Sequence, residues 1–170
     1  MNPAEEAEMV RRAAGQDLAA FAALVGFHEP PLRRFTRRLA GDEGDDIAQE
    51  SFLAAWRAIG QWRGDGSFGG WLRTIATRRY LDRLRRSGPG HFSQIDPNAA
   101  APDDGSDRRI AVDRALAALP PRERAAAILV FGEGHSHGEA ATILDLPLGT
   151  LKSIVARARS ALIPLLEGTE

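Results

Sequence analysis

Two stretches of this sequence carry side chains whose types and spacing suit contact with another macromolecule. Between Trp71 and Arg86 six arginines stand against a single acid, Asp82. On a helix Arg79, Arg83 and Arg86 stack at i, i+4 and i+7, with Arg78, Arg85 and Tyr80 beside them. One carboxylate cannot neutralise six guanidinium groups, and the planar guanidinium fork matches phosphate oxygens. The stripe reads as a phosphate-facing surface with aromatic rings at hand for unpaired bases; a merely solvated basic face is the competing reading. Upstream the sign reverses, because Gly41 to Glu50 holds five acids and no base. A chain with segregated signs suits two different partners better than one. In a helix over Asp42–Ile59, Ala48, Phe52, Ala55, Trp56 and Ile59 form an inward stripe. Asp46, Gln49, Glu50 and Leu53 fall on a different face. Acids near a helix N-terminus suit the dipole and are often only solvated; Leu53 outward among them points instead to a rim-and-anchor interface.

A third group lies near the C-terminus. Ser136 and Glu139 have the spacing of a capping box. A short amphipathic helix runs from there to Leu144, and Asp145–Pro147 breaks it because proline cannot continue the hydrogen-bond ladder. A second helix restarts near Gly149 and carries Lys152, Arg157 and Arg159 with no acid up to Leu166. One bracing helix, a tight turn and one basic helix are the parts of a major-groove reader. Lys152 and Arg157 lie off the apolar stripe of Leu151, Val155 and Leu162, and Arg159 lies one heptad from Lys152.

Other chemistries find little support. The four histidines are scattered and accompany no nucleophile motif; His135 and His137 lack an evident third ligand, and Asp42–Asp46 lacks the spacing of a calcium loop. The loop from Gln61 to Gly70 is glycine-rich but contains no phosphate-loop pattern. An enzyme, a cofactor and an intrinsic metal site are therefore not expected. Cysteine is absent, which excludes disulfides. No apolar run reaches the ~18 residues of a membrane span, and the acidic start lacks a signal peptide's pattern, so a soluble cytoplasmic protein without membrane insertion is expected. The net charge of −1 hides the segregation. Lys152 is the sole lysine among 22 cationic residues, a bias that composition alone does not tie to nucleic acid.

These groups need helices to position them. Alanine and leucine dominate and strand-like alternation is absent. The pattern predicts helices over Pro3–Ala14, Asp17–His28, Pro30–Ala40, Asp42–Ile59, Phe68–Arg86, Arg108–Ala118 and Pro121–Phe131, followed by the C-terminal pair. The stretch Ser87–Asp107 collects Gly, Pro, Ser, Asn and Asp, with four acids and no Lys or Arg. So long a structureless loop is unusual inside one compact domain. The expected architecture is all-α: two small helical domains, 1–86 and 108–170, joined by a flexible linker, 87–107, with a helix-turn-helix in the second.

Asp46-Ile-Ala-Gln-Glu-Ser-Phe52 with Trp56 resembles the D-x-x-Q-E-x-F…W signature of sigma region two. Phe68–Ala76 with Asp82–Arg86 resembles its promoter-melting segment. Leu119-Pro120, Gly149–Ser153 and Arg157–Arg159 resemble region four. Across nearly all the chain the order and spacing are similar to extracytoplasmic-function (ECF) sigma factors. The resemblance implies that Asp46, Gln49, Glu50 and Leu53 dock on core RNA polymerase. It implies that the loop with Arg63, Asp65 and Ser67 holds a flipped base of the minus-ten element of promoter DNA, and that Arg78, Arg79, Arg83 and Arg86 track its backbone. It implies that the helix with Thr150, Lys152, Ser153, Arg157 and Arg159 reads the minus-thirty-five element, and that an anti-sigma factor is a further partner. The family often has Asn at Arg78, Arg at Ile154 and a larger aliphatic residue at Ala140. Ile154 either extends the buried stripe or meets thymine methyls. A stand-alone helix-turn-helix regulator would leave the Asp46 face and the arginine helix unexplained. A sigma-like mimic that only binds an anti-sigma protein would have no need of the basic residues.

Overall fold

The computed structural model describes residues 1–88 and 107–167, and every regular element among them is helical. The first group comprises α1 (Pro3–Ala14), α2 (Leu18–Ala40), α3 (Gly44–Ala58) and α4 (Phe68–Ser87). The second comprises α5 (Asp107–Ala117), α6 (Pro121–Ala127), α7 (His137–Leu144) and α8 (Leu148–Glu167). The helix starts are chemically specified. Asn2 and Glu5 form a capping box on α1, and Asp17 caps α2 by accepting from Ala20 N–H at 3.0 Å. Most of the linker falls outside the described residues.

Helix α2 corrects the expected break at Pro30-Pro31: it runs unbroken from Leu18 to Ala40. Two prolines remove the donors for the carbonyls of Gly26 and Phe27, but both residues lie on the exposed side, where water can serve those oxygens. Leu24, His28, Leu32 and Phe35 are buried on the other side. Packing on both flanks of the prolines outweighs their local preference. Against α2, α3 comes so close that a Cβ on Gly44 would sit 2.5 Å from Arg37 N. Glycine is what lets the two backbones meet there. Helix α6 passes into a π-helical turn over Ile128–Gly132, which leaves Phe131 half exposed.

A single apolar core runs through both groups, from Val10 and Leu24 through Phe68 and Leu72 to Leu129 and Leu151. At the join sits Arg124, fully buried. Its guanidinium donates to the carbonyls of Leu116 (3.0 Å), Ala117 (3.1 Å) and Leu119 (2.9 Å), and to Leu39 of α2 (3.1 Å). Nearby, the buried Tyr80 hydroxyl of α4 donates to the Pro121 carbonyl at 3.1 Å. Burial raises the Tyr80 pKa and lowers that of Arg124. At the edges, Arg38 pairs with Asp113 (2.7 Å) and Arg73 with Glu133 (2.5 Å).

Arg124→Leu should take the guanidinium donor from those four carbonyls, of which Leu116 still accepts from Leu119 N–H at 3.1 Å, and destabilise the protein by about 3 kcal/mol or more. Arg124→Lys keeps the charge but has three donors and no planar fork, and should recover only part of the loss. Urea unfolding of the three proteins measures this; a Leu variant within about 1 kcal/mol of wild type would contradict it.

Candidate docking face and nucleic-acid interface

The outward face of α3 emerges as the sequence suggests. Asp46, Gln49 and Leu53 are exposed, Leu53 at 56%, while Ala48, Phe52, Ala55 and Ile59 are buried. The sequence does not reveal the partner of that face. Leu18 of α2, 67% exposed, joins Leu53, Phe21, Val25, Phe52 and Trp56 around a groove of about 450 Å³. Trp56 packs against Phe21 with ring centroids 5.0 Å apart. At its polar end Arg37 grips Asp45 through two bonds of 2.9 and 2.7 Å. That grip, the hydrogen bonds foremost, holds the Asp45 carboxyl below the usual carboxylate range. A half-exposed carboxylate beside a half-exposed isobutyl group can form both a polar rim and an apolar anchor.

Glu50 differs from its neighbours on the face. Arg83 of α4 reaches it with Nη2 at 2.6 Å, while Nη1 holds Glu43 at 2.8 Å. Helical spacing puts Arg83 in one stripe with Arg79 and Arg86, but α4 packs against the acidic helix, which turns Arg83 toward its carboxylates. The remaining arginines divide. Arg78 and Arg79 form no ion pair among the described residues, whereas Arg85 lies 3.4 Å from Asp82 and 3.6 Å from Asp145 of the second group. Arg86 donates to the carbonyl of Asp82. Arg78, Leu81, Asp82 and Arg85 face Thr142, Ile143 and Asp145 across a cleft, so part of the stripe is turned toward α7.

Ahead of α4, the loop carrying Arg63, Asp65 and Ser67 is exposed and hinges on Gly64 (φ 78°) and Gly66 (φ 84°). These left-handed conformations favour glycine. Ser67 caps α4 by accepting from Gly70 N–H at 3.1 Å. The aromatic residues around the loop take unequal roles. Phe68 is core, and Trp62 and Trp71 stack at 5.7 Å with 24° between their planes, half buried at the foot of the loop. The loop thus has a packed aromatic base and an exposed tip turned by two glycines.

In the C-terminal helix pair, Ser136 and Glu139 form the expected capping box, and the Ser136 hydrogen bonds depress the Glu139 pKa. The helix ends at Asp145, in the left-handed conformation (φ 52°), before Pro147 is reached. Pro147 instead accepts the Leu151 N–H at the start of α8. Leu151, Ile154, Val155 and Ala158 are buried, which settles Ile154 as core, and Ala140 is fully buried in α7. Thr150, Lys152, Ser153, Arg157 and Arg159 are all exposed. Ser153 bonds back to the Gly149 carbonyl, and Arg157 Nε donates to Glu123 of α6 at 2.9 Å. Arg159 borders a second apolar groove, about 380 Å³, with Phe131, Leu162 and Ile163.

An acidic-apolar face, an arginine helix behind a glycine loop, and a helix-turn-helix together define a sigma-type transcription factor. The family model for sigma-70 region 2 matches residues 24–89, and that for sigma-70 region 4 matches residues 109–162. The ECF RNA polymerase sigma factor SigM of Mycobacterium tuberculosis is 34% identical over 165 residues, covering 95% of this chain and 84% of its own. SigW of Bacillus subtilis, also an ECF sigma factor, is 28% identical over 165 residues, covering 86% and 88%. Among solved structures, the sigma factor RpoE of Bartonella quintana, in complex with the anti-sigma factor NepR, gives a TM-score of 0.64 at 28% identity over 86% of this chain and 96% of that one. CnrH, in complex with the cytosolic domain of CnrY, also gives 0.64, at 25% identity over 98% and 99%. The chain belongs to the ECF RNA polymerase sigma factors.

The Arg37–Asp45 pair generates a pH expectation. Because the folded pKa of Asp45 is depressed, its contribution is complete above the ordinary value near 3.8 and is lost as pH falls through the lower folded value. Both side chains are more than a third exposed, so the effect at neutral pH should be only about 0.5–1 kcal/mol. Asp45→Asn should lower stability by that amount at pH 7 and by progressively less in acid. A destabilisation that does not shrink as the pH is lowered would assign the effect to packing.

Proposed function

We infer that the protein binds core RNA polymerase, recognises minus-thirty-five and minus-ten promoter elements, and promotes DNA melting for transcription initiation. The observation that carries this reading is the exposed Asp46, Gln49 and Leu53 beside the apolar groove, on the helix packed against the arginine-bearing α4. Core docking is assigned to that face, with Glu50 as its fourth member. The loop of Arg63, Asp65 and Ser67 takes the flipped minus-ten base, and free Arg78 and Arg79, with Arg86, follow the backbone. Thr150, Lys152, Ser153 and Arg157 on α8 meet the minus-thirty-five element, with Arg159 on the flanking backbone. Melting on this scheme needs no catalytic group, because capture of an unstacked base offsets an unpairing cost of roughly a few kcal/mol. The protein is not an enzyme on this reading and works in the cytoplasm with the polymerase. The two structural relatives named above are complexes with an anti-sigma factor or a cytosolic partner domain, which supports an anti-sigma factor as a partner here.

This function requires the two helical groups, 1–86 and 108–170, to separate. Promoter elements about 25 base pairs apart at ~3.4 Å per pair lie ~80 Å apart. A compact chain of this length has a radius of gyration of only ~15 Å. Residues 87–107, used as a linker, span up to ~70 Å when extended. That reach, added to the groups themselves, is sufficient.

Run-off transcription from a cognate promoter with added core polymerase is the direct test; no product at any promoter would refute the reading. Asp46→Lys combined with Leu53→Ala should weaken core affinity at least about tenfold while helix content stays at the wild-type level. Arg78→Ala with Arg79→Ala should reduce open-complex formation and flatten its dependence on log salt by about 0.7 per lost phosphate contact. Permanganate footprinting across a salt series reads that slope, and an unchanged value would make these arginines merely solvated.

A further inference from the structure

We propose that Arg83 is a positioning residue for the core-docking face, which it serves by holding Glu50 from behind, and that it is not a DNA contact. The inference rests on the reading of the α3 face as the core-binding surface. Arg83 has both terminal nitrogens committed, Nη2 to Glu50 at 2.6 Å and Nη1 to Glu43 at 2.8 Å. Its side chain is only 20% exposed, whereas that of Glu50 is 45% exposed. The guanidinium is therefore the buried half of the pair and the carboxylate the presented half. With both terminal nitrogens engaged and little exposed, Arg83 has no open guanidinium fork to offer a phosphate. Burial works against the charge of Arg83, yet the bonds to Glu50 and Glu43 raise its pKa, so it stays charged at every relevant pH.

The consequence for binding is pre-organisation. A glutamate on a helix surface samples several rotamers, and ordering one such side chain on association costs ~0.5–1.5 kcal/mol. Arg83 fixes the Glu50 carboxylate in the free protein. The second carboxylate, Glu43, fixes Arg83 in turn, and it lies in the 3-10 turn that leads into α3. The chain Glu43–Arg83–Glu50 thus ties both ends of the acidic segment to α4.

A double-mutant cycle in the full-length protein tests this, reading core affinity by titration of labelled core polymerase. Arg83→Ala should weaken core binding about three- to tenfold, Glu50→Ala at least as much, and the double variant no more than Glu50→Ala alone. Arg83→Lys, which keeps one bond to Glu50, should restore part of the loss, a recovery that a general packing role would not give. At saturating core, Arg83→Ala should leave the salt dependence of open-complex formation unchanged. Additive effects in the cycle, or a salt slope lowered by about 0.7, would overturn the proposal and return Arg83 to the DNA stripe. If Glu50→Ala leaves core affinity intact while the Asp46 and Leu53 variant loses it, the positioning role fails but the docking face stands. If neither weakens binding, both fail together.

Discussion

The arrangement of both helical groups depends on where the Arg124 charge is placed. A guanidinium buried without partners would cost several kcal/mol. Here three carbonyls from the α5–α6 connection and one from the end of α2 surround it. The C-terminal group cannot turn about α6 without removing the Leu39 carbonyl from that set. The Tyr80 hydroxyl on Pro121 fixes a second point. Two such points, with the shared apolar core around them, define the orientation of α7 over α4.

Charge then follows the same geometry. In the ion pairs Arg38–Asp113, Arg73–Glu133 and Arg85–Asp145 the arginine comes from the first group and the acid from the second. The join is thus complementary in charge, basic on the side of the first group and acidic on the side of the second. Within the first group the acids of α3 and the turn before it meet α4 through Arg83. The arginine helix is thus divided by its surroundings: Arg73, Arg83 and Arg85 are in ion pairs, and Arg78 and Arg79 form none among the described residues. Identical residue types on one helix have different roles because different neighbours reach them first.

This division explains what was legible in the sequence. Local signals held: the capping box at Ser136 and Glu139, the ends of α4 and the buried stripe of α3 are set by neighbours within four residues. The all-α class follows from the same signals. Pro30-Pro31 misled because the orphaned carbonyls of Gly26 and Phe27 reach water and the flanks are held by packing, neither of which a local rule contains. Leu18, which lines the groove beside Leu53, is not legible from the sequence, since nothing in α3 indicates which helix lies beside it. Arg83, Arg157 and Arg124 share one reason: each finds a partner on another helix, Arg157 of α8 on Glu123 of α6. The sequence around Ile154 fits two roles, and its burial decides between them.

The join between the groups is specific, and its polar contacts cost little to exchange beside the apolar core that the groups share. The edge ion pairs contribute at most ~1 kcal/mol each, and less as salt rises. The bonds from Arg124 to Leu39 and from Tyr80 to Pro121 exchange for water on opening, a net loss of ~1 kcal/mol apiece. Arg124 keeps its three bonds to Leu116, Ala117 and Leu119 when the groups part, because those carbonyls belong to its own group. The charge is then never stranded: the second group remains internally satisfied when separated. A join built on an unshared buried ion pair would lack this property, since parting would leave each ion alone. Placing most of the carbonyl cage on one side keeps the closed arrangement well defined, and it leaves the burial of the shared apolar core, not the buried charge, as the main term that holds the groups together.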